Sequence, residues 1–484
     1  MIDERRETVE KKPDVQFDRV LTRVDVLFLA FGAMIGWGWV VLSGEWIIGA
    51  GSVGAIIAFL IGGLLVMFVG LTYAELSSAM PKAGGEHSFV LRALGHNASF
   101  IAAWAIALGY ISVAAFEAVA LPTVIEYVFP NFKFGYMWTI TGWDVYASWV
   151  LIGVIGSIFI TAINYRGIKG AALIQTILTV VIFIVGIMLI GGSAVSGEKE
   201  LLQPLFKDGF GGLLTVMLMT PFMFVGFNVI PQTAEEMNIP YKSIGRILVF
   251  SVFLSVLFYI GIIFGVSYVL PLSIISSSSL PTADAMGAAF GSSIFAKVLI
   301  FGGLAGILTS WNAFIIGGSR VLYAMAKSKI LPSWFAKIHP KYKTPANAII
   351  FIGILTTFAP LLGRPMLVWL VDAGGLTITL AYCMVALSFI VLRKKEPNMI
   401  RPFKAGRLPI VGWISFILTI GFVILYMPGM PSQLVWPYEW MIFLGWWLIG
   451  AIFIVRMNRA ENREHLKEYL NEMIDSLKSG KIDA

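Results

Sequence analysis

The chain has 484 residues, of which 58% are hydrophobic and 13% are charged, and its net charge is +7. Its mean hydropathy of +0.84 reflects far more apolar surface than one soluble core can bury. The composition therefore excludes a soluble enzyme or binding protein and requires a lipid environment. One cysteine and four histidines, with every histidine outside the apolar stretches, offer no disulfide framework and no metal or histidine-based catalytic site within the bilayer.

Twelve apolar stretches follow one another along the chain, and a helix that crosses a bilayer takes about 20 residues. In chain order they are residues 26–48, 53–79, 100–128, 147–163, 171–192, 211–234, 244–269, 294–325, 346–362, 366–392, 410–427 and 438–455. The sequence therefore predicts an all-α polytopic membrane protein with 12 transmembrane helices.

The positions of the basic residues predict the orientation of these spans. If the N-terminus is cytoplasmic, nearly all of the 35 Lys and Arg residues are cytoplasmic, and the exceptions are Lys133, Lys199, Lys207, Lys297 and Arg364. This is the positive-inside pattern, which one missed or invented helix would reverse for every later loop. It predicts that both termini are cytoplasmic.

We interpret the chain as one membrane domain with a tail at each end. Residues 1–25 form a cytoplasmic N-tail, 26–392 a core, 393–456 helices 11 and 12, and 457–484 a cytoplasmic C-tail. Apolar residues of the C-tail recur at helical spacing among Glu and Lys. This spacing predicts an amphipathic helix on the membrane surface, with a solvated helix as the alternative.

Two spans contain residues that interrupt helices. The first has three glycines within residues 32–38, and the sixth has Pro221, Gly226 and Pro231. Such interruptions in corresponding members of two half-sequences indicate discontinuous helices around a binding site at the bilayer midplane. Because spans one and six are five apart, we predict inverted five-helix repeats at about 26–192 and 211–392, followed by two extra helices. The alternative is that the small residues only permit close helix packing.

Four motifs occur in the order that one transporter family shows. They are Gly32-Ala33-Met34-Ile35-Gly36-Trp37-Gly38; Tyr73 to Leu76 with Pro81 to Glu86; Phe224 to Asn228 with Glu235, Glu236 and Pro240; and Ser319 to Met325 with Leu331, Pro332, Thr344 and Pro345. They resemble the amino acid-polyamine-organocation (APC) superfamily, whose first-helix signature is G-x-x-I-G-S-G-I-F, and in particular its bacterial amino acid permeases. The resemblance implies a LeuT-like fold and a secondary active transporter, either a symporter or an exchanger. It would move amino acids across the bacterial plasma membrane by alternating access.

The two interrupted helices supply the candidate substrate site. A broken first helix would offer the peptide N–H groups of Gly36 to Gly38 to a substrate carboxylate, and the broken sixth helix would offer carbonyls near Phe224 and Val225 to an ammonium group. Phe222 falls where related transporters carry an aromatic gate, with simple packing as the alternative. The candidate substrate-binding residues are Ala33, Ile35, Gly36, Trp37, Gly38, Glu117, Phe222, Phe224, Val225, Gly226 and Asn228.

Glu117 lies well inside the third span, where a charge is costly, and this makes it a candidate functional residue. It could neutralise a substrate amine, accept a proton, or be held structurally by a hydrogen bond between helices. Some polyamine and cationic amino acid members of the family carry an acid near this position. The alternative function is therefore an amine or polyamine transporter that uses Glu117 to bind the ammonium.

The coupling ion could be Na⁺ or H⁺. Thr309 and Ser310 on the eighth helix, with carbonyls near Ala33 and Gly36, could supply oxygen ligands to Na⁺. A proton on Glu117 and uncoupled exchange are the alternatives, and hydroxyls in membrane helices often only bond to their own helix. At the cytoplasmic end, Glu235 and Glu236 could pair with Arg19, Arg23 or Arg320 to latch an inner gate, or they could be solvated loop charges.

The expected partners are a small amino acid or amine substrate and the lipid bilayer, without nucleic acid, cofactor or obligatory subunit. No repeated pore-lining ring or filter sequence points to a channel. A nutrient receptor built on a transporter scaffold is left open by the sequence.

Overall fold

The computed structural model describes residues 16–430, 433–457, 468, 470–472 and 474–475. Residues 1–15 of the expected N-tail and most of the expected amphipathic C-tail, 457–484, lie outside the described residues. Within the described ranges the chain is helical, with one hairpin and connecting loops.

The first half of the chain contains eight α-helices and two strands. They are α1 Arg23–Met34, α2 Gly38–Val41, α3 Ser43–Ala50, α4 Ser52–Ala79, α5 Glu86–Leu94, α6 His96–Val128, β1 Tyr136–Ile140, β2 Trp143–Tyr146, α7 Ala147–Tyr165 and α8 Ile168–Ser196. Short 3₁₀ helices lie at Pro130–Phe132 and Lys199–Leu202.

The second half is helical throughout its described elements. They are α9 Gly209–Met223, α10 Val229–Gln232, α11 Tyr241–Val269, α12 Leu272–Ser277, α13 Pro281–Ala289, α14 Ser293–Lys327, α15 Ala346–Phe358, α16 Met366–Lys395, α17 Ile410–Leu425 and α18 Tyr438–Met457. Further 3₁₀ helices lie at Ala234–Glu236, Ser333–Ala336 and Ala359–Leu362.

Each predicted span overlaps a helix of the structure. Among the described residues, eight helices are long and apolar enough to cross a membrane, namely α4, α6, α7, α8, α11, α14, α16 and α18. The shorter apolar helices α9, α15 and α17 coincide with predicted spans six, nine and eleven. The first predicted span is divided among α1, α2 and α3. The predicted helical, multi-pass architecture is thereby confirmed.

One part of the all-α prediction is wrong, because β1 and β2 form an antiparallel hairpin between α6 and α7. Ile140 pairs with Trp143 at its tip. The intervening Thr141 and Gly142 both have positive φ, 46° and 79°. Positive φ at both central residues belongs to the tight turn whose twist matches antiparallel strands.

The first interrupted helix begins at a capping box. The Thr22 hydroxyl accepts a hydrogen bond from the Asp25 N–H, and the Asp25 carboxylate accepts one from the Thr22 N–H. Regular helix stops at Met34 and resumes as α2 at Gly38. The break therefore falls within the glycine-rich segment that the sequence singled out.

The second break follows a proline and contains a glycine in a restricted conformation. α9 ends at Met223, two residues after Pro221, and α10 begins at Val229. Between them Gly226 has a φ of +137°, which residues with a side chain rarely adopt. Proline and glycine together thus end one helix and turn the chain into the next.

α6 and α14 lie at the centre of the described helices. Within their apolar windows 94% and 83% of residues are buried, against 17% for α18 at the periphery. α1 packs against α8, α11 and α14, and α6 packs against α14 and α16. This packing places the break after α1 among the central helices, where it can form part of a site.

Candidate functional site

The two breaks touch each other. A Cβ atom on Gly226 would lie 2.8 Å from the carbonyl carbon of Ala33, so the chain at Gly226 packs directly on the end of α1. Tyr259 of α11 connects the same two segments, because its hydroxyl lies 2.8 Å from the Met34 carbonyl oxygen and 3.2 Å from that of Met223. One phenol is thus shared between the final carbonyls of α1 and α9.

A small cavity of about 20 Å³ lies where the breaks meet α6, α11 and α14. A cavity needs about 10–15 Å³ to hold one water molecule, so this space has the size of about one water and is far smaller than an amino acid. The described structure therefore has no room for a substrate at this site, and we call this state closed. Its lining consists of Ala33, Met34, Gly36, Trp37, Gly38, Val113, Phe116, Glu117, Phe222, Met223, Val225, Tyr259, Ser310 and Phe314.

Glu117 is the charged side chain of this lining, and it is 1% exposed. A Cβ on Gly36 would collide with the Glu117 Oε1 atom and would lie 3.0 Å from the Ser310 Oγ atom, so the carboxylate sits directly on the first break. The Trp37 peptide N–H and the Ser310 hydroxyl lie beside the carboxylate, but Glu117 Oε2 and Ser310 Oγ have no hydrogen-bond partner among the described residues. Among the ion pairs of the described residues, none involves Glu117.

The two hydroxyls predicted to bind Na⁺ point to different surroundings. Ser310 lines the cavity, whereas the Thr309 hydroxyl donates to the Gly306 carbonyl oxygen of its own helix at 3.0 Å. A Cβ on Gly306 would lie 2.7 Å from the Gly36 carbonyl oxygen, so that carbonyl faces α14 about one turn before Ser310. The structure thus brings Gly36 and Ser310 together and places Thr309 beside them.

Four of the other expected substrate-site residues do not line the cavity, namely Ile35, Phe224, Gly226 and Asn228. Phe224 packs its ring against Phe59 and Tyr259, with centroids 5.9 and 5.4 Å apart. The Asn228 side chain accepts from the Gly226 N–H at 3.1 Å and donates to the Glu86 carboxylate at 3.2 Å. Phe224 and Asn228 thus pack and hydrogen-bond around the second break without lining the cavity.

Other lining residues were missed from the sequence. Phe116 packs against Phe222 with ring centroids 6.0 Å apart, and Val113, Met223, Tyr259 and Phe314 complete the apolar wall. These residues occur within long apolar spans. The sequence therefore carries no periodic signal that separates them from residues facing lipid.

A buried polar network beside α1 was also missed, although its amides stand out within apolar spans. Asn164 donates to the Asn312 carboxamide oxygen at 2.9 Å, and Asn312 donates to the Gln175 oxygen at 2.8 Å. Gln175 and Thr179 both lie within 3.4 Å of the Phe28 carbonyl oxygen of α1. The network connects α7, α14, α8 and α1, which fixes these helices against one another.

Glu86 forms a second buried polar cluster at the start of α5. Its carboxylate accepts hydrogen bonds from the Tyr73 hydroxyl at 3.1 Å, from the Asn228 amide at 3.2 Å and from the Gln232 amide. Complete burial raises the pKa of Glu86 from 4.5 to about 7, against the opposing effect of these three donors. Two of the donors lie at α10, so the cluster joins α5 to the element that follows the second break.

Replacing Glu86 by Gln is expected to flatten the pH dependence of stability near neutrality. Because burial raises this pKa, protonated Glu86 makes its full contribution to the free energy of unfolding below about pH 4.5. This contribution is lost as the pH rises through about 7. Between pH 6 and 8 the wild-type protein should lose on the order of 1 kcal/mol that Glu86→Gln retains. The measurement is the melting temperature by scanning fluorimetry across that range. The exposed Glu200→Gln is the control, and a parallel decline in Glu86→Gln would contradict the assignment.

A buried ion pair lies beyond this cluster. Arg320 donates to Glu236 through Nε at 3.1 Å and through Nη2 at 2.9 Å, and both side chains are 1% exposed. The pairing of Glu236 with Arg320 is therefore correct, and the expectation of a solvated loop charge is wrong for Glu236. Glu235 forms no ion pair among the described residues. The backbone at Val20 and Leu21 packs beside this pair. Both peptide N–H groups donate to the Glu236 carbonyl oxygen at 2.9 Å.

The comparisons with known proteins agree with this architecture. The amino acid permease family matches residues 21–453, which is most of the chain. Similar relatives include the branched-chain amino acid permease BcaP of Bacillus subtilis, 28% identical over 454 residues that cover 92% of this chain and 94% of the relative. The aspartate-proton symporter of Bacillus subtilis is 25% identical over 473 residues, covering 90% and 88%. The chloroplastic cationic amino acid transporter 7 of Arabidopsis thaliana is 26% identical over 457 residues, covering 91% and 76%.

These matches confirm the resemblance that the four motifs carry. They identify a multi-pass membrane protein of a transporter class, and they confirm that the chain is not an enzyme. The chain belongs to the amino acid permease family, within the APC superfamily.

Proposed function

We propose that the protein is a secondary active transporter that moves amino acids across the plasma membrane by alternating access. It would do so with twelve membrane crossings, inverted repeats at about 26–192 and 211–392, extra helices within 393–456, and both termini in the cytoplasm. The observation that carries the proposal is the contact between the two helix breaks around a small cavity that contains a buried carboxylate. Opening such a cavity to one side at a time requires only that the elements flanking the breaks separate.

The substrate would bind between the breaks, with its ammonium group on Glu117 and its carboxylate on the peptide N–H groups of Gly36 to Gly38. In the closed structure the Glu117 carboxylate itself faces the Trp37 N–H. An incoming amino acid would place its ammonium group on this carboxylate and its own carboxylate on the peptide N–H groups. Phe222 and Phe116 form the aromatic cover of the same cavity.

The relatives do not assign the substrate, because their names specify branched-chain, acidic and cationic amino acids. The direct test is counterflow in proteoliposomes loaded with one unlabelled amino acid at a time, with labelled leucine, aspartate or lysine outside. Counterflow requires alternating access and needs no ion gradient. Exchange of at least one of these substrates supports the proposal, and its absence for all twenty amino acids and for simple amines would overturn it.

The second candidate function is the transport of amines or polyamines that lack a carboxylate. The observation in its favour is that the buried carboxylate of Glu117 lines the cavity at the first break, where it could pair with an amine that has no carboxylate. Putrescine and ethanolamine added as competitors distinguish the two functions. Competition by these amines without competition by zwitterionic amino acids would make the protein an amine transporter.

The coupling ion is proposed to be Na⁺ at Thr309 and Ser310 with carbonyls near Ala33 and Gly36, or a proton on Glu117. The close approach of the Gly36 carbonyl oxygen to α14 at Gly306 supports an oxygen-lined site there. Uptake under a sodium gradient and, separately, under a proton gradient distinguishes these ions. Stimulation by sodium that is lost in Ser310→Ala supports the oxygen site, and stimulation by protons alone contradicts it.

Replacing Gly36 by Ala is expected to reduce transport at least tenfold. The added Cβ would overlap the Glu117 carboxylate and press on Ser310, so the first break and α6 could not close together. Gly191→Ala on α8 is the matched control, because a Cβ there has nothing within 4 Å. The measurement is the initial rate of counterflow per purified transporter. Equal rates for the two variants would show that closure at Gly36 is not required.

A further inference from the structure

A large cavity with a strong excess of positive charge opens at the end of the molecule formed by the residue 16–21 segment and the end of α14. Its volume is about 740 Å³, within the roughly 300–1,000 Å³ of sites that bind small molecules. Its lining includes Arg19, Lys82, Lys327, Lys329 and Lys337, and Glu235 is the carboxylate among the lining residues. We refer to it as the basic cavity.

The cations of the basic cavity form no ion pair with carboxylates of the described residues. None of the ion pairs between described residues includes Arg19, Lys82, Lys327, Lys329 or Lys337. Arg19 uses its Nε to donate to the Met237 carbonyl oxygen at 3.0 Å, and Lys327 lies 5.8 Å from the centroid of the Tyr323 ring. The positive-inside rule accounts for basic residues in these loops, but it does not require five of them to converge on one concave surface.

The chemistry of the lining suits a ligand with several negative charges. Four lysines supply ammonium groups and Arg19 a guanidinium, the side chains that proteins use to bind phosphate groups. Ser333, Gln16 and Tyr241 add polar groups at the same surface. Lys329, which lines the cavity, adopts a φ of +64°, a costly conformation for a residue with a side chain.

We propose that the basic cavity binds a phosphate-bearing anion, either a soluble polyphosphate compound or the headgroup of an anionic lipid. The basic cavity lies between the residue 16–21 segment and the end of α14, and these two elements also cover the Glu236–Arg320 pair. Phe17 lies 5.0 Å from the Tyr323 ring and 5.8 Å from the Arg320 guanidinium, while Arg19 and Lys82 come from two different connecting segments. An anion bound to several of these segments holds them together and slows the opening of this end. The gating consequence rests on the proposed function, whereas the binding does not.

The experiment titrates the full chain in phosphatidylcholine nanodiscs with tripolyphosphate and ATP, with binding followed by microscale thermophoresis. The test variant is Lys327→Gln/Lys329→Gln/Lys337→Gln. The control variant is Lys169→Gln/Lys242→Gln/Lys404→Gln, which removes the same charge from exposed lysines outside the cavity. Saturable binding that weakens at least tenfold in the test variant and less than twofold in the control variant is the expected result. Equal weakening in both variants would show general surface electrostatics and overturn the proposal.

A second arm distinguishes the sources of the anion. Nanodiscs that contain phosphatidylglycerol should raise the melting temperature of the wild-type chain, and the test variant should lose that rise if a lipid headgroup occupies the cavity. If tripolyphosphate binds and the lipid has no effect, the ligand is soluble. The proposal fails if neither probe discriminates the test variant from the control variant. Arg19→Gln/Lys82→Gln serves as an independent pair of substitutions in both arms. Because neither arm measures transport, a failure here is distinct from a failure of the proposed function.

Discussion

Replacing Glu117 by Gln is expected to lower amino acid uptake by roughly 30-fold or more, since loss of one partner of a buried charge pair costs about 2–5 kcal/mol. The Glu117 side chain is 1% exposed and sits against the first helix break at Gly36. No ion pair between described residues includes Glu117, so its carboxyl group is available to a substrate ammonium group. Glutamine preserves the size and removes the charge. The measurement is the initial rate of uptake in proteoliposomes, together with counterflow.

The same variant separates the three roles that the sequence allows for this residue. Loss of both uptake and counterflow, with the melting temperature unchanged, indicates binding of the substrate ammonium. Retained counterflow with lost accumulation under a proton gradient indicates proton coupling. A fall in melting temperature with unchanged counterflow indicates a structural role and contradicts the proposed site. Glu126→Gln is the control, because Glu126 lies on the same helix and pairs with Lys133 at 2.6 Å on the surface.

The spans could be predicted because the solvent of this chain is lipid. A membrane helix satisfies its backbone polar groups internally, so its length and apolar composition are written into the sequence. The breaks were also readable, since Pro221 and the glycines at 36 and 226 leave few alternatives to an interrupted helix. The hairpin at 136–146 was not predicted, because a short polar and aromatic loop carries a weak strand signal beside twelve strong helical ones.

The walls of the site were harder to predict than its centre. Tyr259 connects the two breaks through its hydroxyl, yet in the sequence it is one aromatic residue within a long apolar run. A helix that is apolar all round gives no periodic pattern from which the buried face can be deduced. Asn228 was expected at the substrate site because it follows the break. Its side chain instead donates to the Glu86 carboxylate and accepts from the Gly226 N–H.

Charge pairing between distant segments also lies beyond what one sequence can specify. Glu236 and Arg320 are 84 residues apart, and several other arginines were equally suitable partners by sequence. Tertiary packing selects the pair by burying both side chains. The sequence identifies which residues carry charge, and the fold determines which of these charges are removed from water.

Replacing Glu236 by Gln is expected to destabilise the packing of the residue 16–21 segment against the end of α14 by about 3–5 kcal/mol. The substitution leaves the Arg320 charge buried without its carboxylate. The guanidinium makes two hydrogen bonds to Glu236, and its other contacts include the Ser319 hydroxyl at 2.9 Å. The released end should expose side chains that are now buried in the wall of the basic cavity, such as that of Ala326. The measurement is the rate at which a thiol reagent labels a cysteine introduced at Ala326, which is 1% exposed. Cys383, the one native cysteine of the sequence, is buried and gives little background.

The double variant Glu236→Gln/Arg320→Met distinguishes the ion pair from a general loss of packing. Neutralising both partners removes the unpaired buried charge, so labelling at position 326 should return most of the way toward the rate of the parent protein. A double-mutant cycle should therefore give a coupling energy of about 1–3 kcal/mol. The Glu126–Lys133 pair is the control, since its side chains are 29% and 31% exposed and such pairs contribute about 1 kcal/mol or less. Additive effects of Glu236→Gln and Arg320→Met would show that the two residues act separately and that their pairing does not hold this end closed.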